Sequence, residues 1–117
     1  MGIVTGRPRR EARFILKKFN IKQFFNVIVT MEDYPSEKSK PHPYPIKIAL
    51  ERAERNNGTY IGDSIDDIVA AKRAGVRPIG CVPPGISSTN LIRLLRENGA
   101  EKIISTLDDI RTLLFLL

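Results

Sequence analysis

Apolar and polar positions alternate along this 117-residue chain in blocks whose period switches repeatedly between two and about three and a half. Ile3, Val4 and Thr5 open as a short strand, Gly6 supplies a turn, and Pro8 suits the first position of a helix. Ala12, Ile15, Leu16 and Phe19 follow at i, i+3, i+4 and i+7, the buried stripe of that helix. Residues 26–31 form a continuous apolar run rich in β-branched side chains, as expected of a strand buried on both faces. Residues 32–45 are polar and hold four prolines, so a loop is predicted. A helix is expected over residues 44–55, burying Ile46, Ala49, Leu50 and Ala53 and ending at Asn56, Asn57 and Gly58. Thr59, Tyr60 and Ile61 form the next strand, Gly62, Asp63 and Ser64 a turn. A helix through Ile68, Val69, Ala71 and Ala74 then stops at Gly75. Residues 78–82 read as a strand stopped by Pro83, Pro84 and Gly85. A helix from about Ser88 buries Leu91, Leu94 and Leu95 and stops at Gly99, and residues 102–105 form a last strand. Thr106 and Asp109 have capping-box spacing before a helix carrying Ile110, Leu113, Leu114 and Leu117. This alternation predicts one small α/β domain: a mainly parallel sheet with helices on both faces.

Charge adds a local asymmetry. The net charge of +6 lies within residues 1–22, where seven basic side chains face Glu11 alone; the remaining residues are balanced. A nucleic-acid patch is one reading. The preferred one is a solvated helix face outside the apolar stripe, with Arg7 or a neighbour meeting an anionic substrate as a third; nucleic acid is not an expected partner. The one cysteine, Cys81, sits in an apolar run and is expected to be a small buried side chain rather than a reactive thiol. The N-terminal residues offer no signal-like apolar stretch and no apolar run is long enough to cross a bilayer, so a reducing cytoplasm is expected and no membrane partner.

Candidate chemistry concentrates where strands hand over to helices. Asp63 and Asp67 fall at the C-terminal end of a strand, the usual ligand-binding edge of an open α/β sheet. Hard oxygen ligands there suit Mg²⁺, which takes one or two carboxylates plus waters and substrate phosphate. Asp66 and Asp67 could equally serve the dipole of a helix's first turn, but that leaves Asp63 and Gly62 unexplained. Thr5 beside a helix N-terminus suits an anion, or else is a turn threonine. Lys40 precedes Pro41, His42 and Pro43 and is either a functional ammonium or, like Lys38, a solvated loop lysine. Ser64 is placed to hydrogen-bond the carboxylates. His42 is read as structural, since no second histidine or cysteine group completes a zinc site.

Hydroxyl and glycine at Thr5 and Gly6, then Lys40, then Gly62, Asp63 and Asp67, in that order, resemble motifs two, three and four of the haloacid dehalogenase superfamily. Ala70, Ala71, Lys72, Arg73, Ala74 and Gly75 strengthen the likeness, which spans residues 3–104. Members of that superfamily are mostly Mg²⁺-dependent phosphatases. The resemblance implies that Thr5 and the Gly6 amide hold a phosphoryl oxygen and that Lys40 steadies nucleophile and transition state. It further implies that Asp63 ligates Mg²⁺, and that Asp67 anchors metal waters or the lysine. The implied fold is a partial three-layer Rossmann-like core without a cap domain.

The superfamily's first motif, Asp-x-Asp at a strand end, occurs nowhere in these 117 residues. The expectation is therefore a C-terminal part lacking the nucleophile strand, which would lie in mid-sheet between residues 3–5 and 59–63. Unpaired backbone groups there would cost roughly 1–3 kcal/mol each, against a domain stability of about 5–15 kcal/mol. Either the flanking strands close up and pair or something fills the gap. The implied function is a phosphatase-type hydrolase fragment that binds phosphate and Mg²⁺ but is inactive alone; the alternative is a non-catalytic binding or interaction remnant. A phosphorylated small molecule is the expected ligand. The gap, and a final helix apolar around nearly all its circumference, also predict a homo-oligomer or a partner chain that fills the sheet.

Overall fold

A computed structural model describes residues 1–83, 89–106 and 109. Its regular elements are β1 (Gly2–Val4), α1 (Arg9–Lys18), β2 (Val27–Val29), α2 (Tyr44–Arg52), β3 (Thr59–Gly62), α3 (Ile65–Ala74), β4 (Arg77–Cys81), α4 (Thr89–Glu97) and β5 (Lys102–Ile104). The α/β alternation is the one expected, and every strand pairing is parallel. Ser88 and the apolar tail over residues 110–117 lie outside the described residues. The capping-box expectation at the tail is met in part, since Asp109 Oδ2 accepts the amides of Ser105 and Thr106.

Several boundaries differ for local reasons. Pro8 is the N-cap of α1 rather than its first helical residue, and the helix ends at Lys18. Asn20 then takes a left-handed φ of 53° and the Ile21 amide returns to the Leu16 carbonyl. That reversal leaves Phe19, expected in the buried stripe, 62% exposed, while Ala12 and Leu16 are buried. β2 stops at Val29 because Thr30 and Asp33 form a capping box that starts a 3₁₀ turn. α2 stops three residues earlier than expected: Glu54 adopts φ 55° and the Arg55 amide reaches back to Leu50, so Asn57 and Gly58 are not its cap. α3 ends as its sequence says, on left-handed Gly75.

α2, α3 and α4 form a contiguous helical layer, α2 over β1 and β2, α3 over β3 and β4, and α4 over β4 and β5. Ile46 of α2 packs with Ala70 and Ala71 of α3, joined by Val4 and Tyr60 from the strands. Ile68 and Leu95 close the core between α3 and α4. Gly80 faces that layer, where a Cβ would stand 3.1 Å from Leu95 Cδ1. Its neighbour Ile79 points the other way, to Ile61 and Ile104.

The strands fall into two separate sheets, β1-β2 and β3-β4-β5. In a parallel ladder alternate residues turn their backbone groups to opposite sides. The bonds Thr5 N–H to Val29 O and Asn26 N–H to Met1 O show that odd residues of β1 face β2. Gly2 and Val4 therefore face away from it. By the same reasoning the bond from Arg77 N–H to Gly58 O turns Thr59 and Ile61 of β3 away from β4. These two edges look at each other across a cleft of about 360 Å³ lined by Gly2, Val4, Thr59 and Tyr60 and floored by Ile46 and Leu50. Among the described residues β1 and β3 do not pair; one side chain spans the opening, with the Tyr60 hydroxyl 3.3 Å from the Val4 carbonyl. Of the two outcomes the sequence left open, closure by pairing is not what forms.

Candidate functional site

The loop from β3 into α3 is built around Asp67. Ser64 is the N-cap, its hydroxyl accepting the Asp67 amide at 3.2 Å. Asp67 Oδ2 in turn accepts the amides of Asp63 and Ser64 at 3.1 and 3.2 Å. This reciprocal box satisfies amides that open every helix. It also explains Gly62: a Cβ there would stand 2.6 Å from the Asp67 carboxyl carbon, so only glycine lets the carboxylate lie against the strand end. Asp67 is buried at 6% exposure, whereas Asp63 is exposed and its carboxylate has no hydrogen-bond or ion-pair partner among the described residues.

Lys40 arrives from the opposite wall, at a cis bond to Pro41 just before α2. Its ammonium lies 2.5 Å from Asp67 Oδ1 and 3.1 Å from the Tyr60 hydroxyl. Burial works against the charge of Asp67, but the Lys40 ammonium and the Ser64 bonds more than offset it and hold the carboxyl below the usual 3.8. Burial also opposes the charge of Lys40, yet Tyr60 and Asp67 together raise it above the usual 10.5. Tyr60 is pushed above 10.0, chiefly by burial with Lys40 opposing, so the phenol stays neutral. The site thus holds a fixed ammonium–carboxylate pair with a neutral hydroxyl between them and the sheet gap.

Two adjoining clefts share Lys40, Asp63 and Asp67. One, of about 420 Å³, adds Gly6, Ser39 and Ser64; the other, of about 320 Å³, adds Thr5, Tyr60 and Cys81. All five expected site residues therefore line one continuous region at the C-terminal ends of β1 and β3. Thr5 is also a turn residue: its Oγ1 accepts the Arg7 amide at 3.1 Å, which leaves the hydroxyl proton to donate elsewhere. Cys81 is half-buried rather than buried, and burial, then Asp63 and Asp109, raise its thiol above 9.0. His42 is structural as expected, its Nδ1 accepting the Tyr44 amide that opens α2.

Three side chains here escaped the sequence reading. Tyr60 looked like an ordinary strand residue, and Tyr34 sends its hydroxyl to the Thr5 carbonyl at 3.4 Å. Glu32 places both carboxylate oxygens on the Arg9 amide, at 2.8 and 3.1 Å. The N-terminal end of α1, a natural anion site, is thus already neutralised by the protein's own carboxylate. The only sequence signal was Glu32 and Asp33 immediately after a strand.

The donor set bears on Mg²⁺ directly. Among the described residues no cluster of three or more potential metal ligands forms, and both Asp67 oxygens are engaged. One exposed carboxylate, Asp63, with Asp67 behind it, still fits an ion that takes one or two carboxylates and completes its shell with water and phosphate.

Residues 1–81 match the family model described as haloacid dehalogenase-like hydrolase. Pyrophosphatase PpaX of Bacillus mycoides (strain KBAB4) is 38% identical over 81 residues, 68% of this chain and 37% of that protein. Imidazoleglycerol-phosphate dehydratase of Phytophthora nicotianae is 30% identical over 115 residues, 90% of this chain but 25% of that protein. The chain thus spans between 25% and 37% of the length of these relatives. In fold it is similar to a hydrolase of the same family from Deinococcus radiodurans R1, solved with bound phosphate and sodium. The TM-score is 0.83 at 19% identity, covering 97% of this chain and 50% of that one.

Proposed function

The chain belongs to the haloacid dehalogenase-like hydrolase family, and from that premise we propose that it binds the phosphoryl group of a small molecule together with Mg²⁺. The observation that supports this best is the Lys40–Asp67 pair at the strand ends, beside exposed Asp63 and in clefts shared with Thr5 and Gly6. In this reading the Thr5 hydroxyl proton and the Gly6 amide hold phosphoryl oxygens. Lys40 faces their negative charge, prevented from drifting by Asp67. Asp63 would hold Mg²⁺, with Asp67 backing its water shell; the ion's contribution is charge neutralisation on the phosphoryl oxygens.

Transfer is a separate matter. The resemblance implies covalent catalysis through an attacking aspartate, a role no electrostatic group can replace, and no Asp-x-Asp is present among the 117 residues. We therefore read this polypeptide as phosphatase-like in binding and inactive alone. Its catalytic aspartates would come from a strand set between β1 and β3, supplied by a longer form of the chain or by another chain. A non-catalytic binding protein is the second reading, favoured by Glu32 already occupying the α1 amide. Calorimetry with inorganic phosphate tests the first claim: binding should weaken on Lys40→Ala, and equal affinity would sink it. An aryl phosphate with Mg²⁺ tests the second: turnover by the purified chain, abolished by Asp63→Asn, would show that another residue attacks.

A further inference from the structure

Tyr60 stands where the sheet gap meets the phosphoryl clefts, and none of the motifs accounts for it. Its ring is fixed by the core, packed with Ile46, Ala70, Ala71 and Val76. Its hydroxyl lies 3.1 Å from Lys40 Nζ, 3.3 Å from the Val4 carbonyl and 3.4 Å from Asp67 Oδ1. A phenol has one proton to give and lone pairs to receive. Lys40 can only donate, so it donates to the Tyr60 oxygen. Asp67 Oδ1, which also accepts from the Lys40 ammonium, and the Val4 carbonyl, turned toward the gap, both lie within reach of the tyrosine proton. The contact with Val4 is the one that crosses the gap. The chain of bonds runs from Lys40 through Tyr60 to the edge of β1.

Lys40 needs such a holder. It comes from a stretch between a 3₁₀ turn at Ser36–Lys38 and α2, on a flexible four-carbon stem. Asp67 fixes it on one side; on the other, Tyr60 is its one further hydrogen-bond partner among the described residues. We propose that Tyr60 is a positioning residue for Lys40, using the Val4 carbonyl across the gap as its anchor. The placement of the phosphoryl-binding ammonium is then set by the spacing of the two sheets. This rests on the reading of Lys40 as the phosphoryl-binding group.

Inorganic phosphate, titrated calorimetrically into metal-free protein, is the probe. Tyr60→Phe should weaken binding about tenfold, the size of one hydrogen bond to a charged group. The decisive readout is the double variant. If Tyr60 acts through Lys40, Lys40→Ala with Tyr60→Phe binds no worse than Lys40→Ala alone. Losses that simply add would mark a general structural role and overturn the inference, as would a Tyr60→Phe variant that binds like wild type while Lys40→Ala does not. Unchanged binding in Lys40→Ala instead removes the phosphoryl reading and this inference with it. Should Tyr60→Phe not fold, wild type labelled at tyrosine Cζ serves: the Tyr60 resonance should shift as phosphate saturates. A resonance that stays fixed while phosphate binds overturns the proposal.

Discussion

Asp63 and Asp67 are four residues apart, yet the fold gives them opposite tasks. Asp67 is consumed by the protein, holding two loop amides and Lys40, while Asp63 is left to solvent. Asp67→Ala should thus cost about 2–3 kcal/mol, the helix cap and half of a mostly buried ion pair together, seen as a lower urea midpoint. Asp63→Ala should leave that midpoint nearly unchanged and abolish the heat of Mg²⁺ binding. Acid should act through the first residue. The folded carboxyl of Asp67 is held below 3.8, so its contribution is complete above that value and fades as pH falls through the lower folded one. The stability difference between wild type and Asp67→Asn should shrink below about pH 4; a constant difference would mean the charge is not what matters. Asp67 was legible because the loop amides it accepts, those of Asp63 and Ser64, lie four and three residues away and leave a spacing. Tyr60 was not, because its contacts to Val4 and Lys40 are 56 and 20 residues away and leave none.

Among the elements, the β3–α3 unit follows most directly from its residues. Apolar strand, glycine, serine cap, carboxylate three positions on and left-handed Gly75 all agree with one another. Its weak point is Gly62. Gly62→Ala should destabilise by about 2 kcal/mol, since the new methyl forces the Asp67 carboxylate out of its place, and should weaken phosphate binding through Lys40. Chemical denaturation of the variant decides: a loss under half that size means the loop gives way freely. α1 and α2 were less legible at their ends. Both are stopped by non-glycine residues in left-handed conformations, Asn20 and Glu54, positions that composition does not announce. The same early stop leaves Phe19 in solvent, as Phe14 and Phe24 are.

Over the whole molecule, the order of strands and helices was readable from alternation alone, but what happens at mid-sheet was not. Pairing of β1 with β3 would have asked α2, which packs on β1, β2 and α3, to shift across its own core. Instead the edges stay apart. A chain with two open strand edges facing one cleft should recruit a strand, and sedimentation at micromolar concentration should find it self-associated; a soluble, cooperatively folded monomer would count against that. The gap has a consequence for how the molecule comes apart. Among the described residues no ladder joins β1-β2 to β3-β4-β5, and the two sheets are held together by helix packing, the Lys40–Asp67 pair and the Tyr60 contacts. β4 is flanked on both sides, while β1 and β2 each have one neighbour and three residues. Amide exchange should therefore fall into two classes rather than one. Val27 and Val29 should exchange through a small, frequent opening, and Ile79, Gly80 and Cys81 only when the whole chain unfolds.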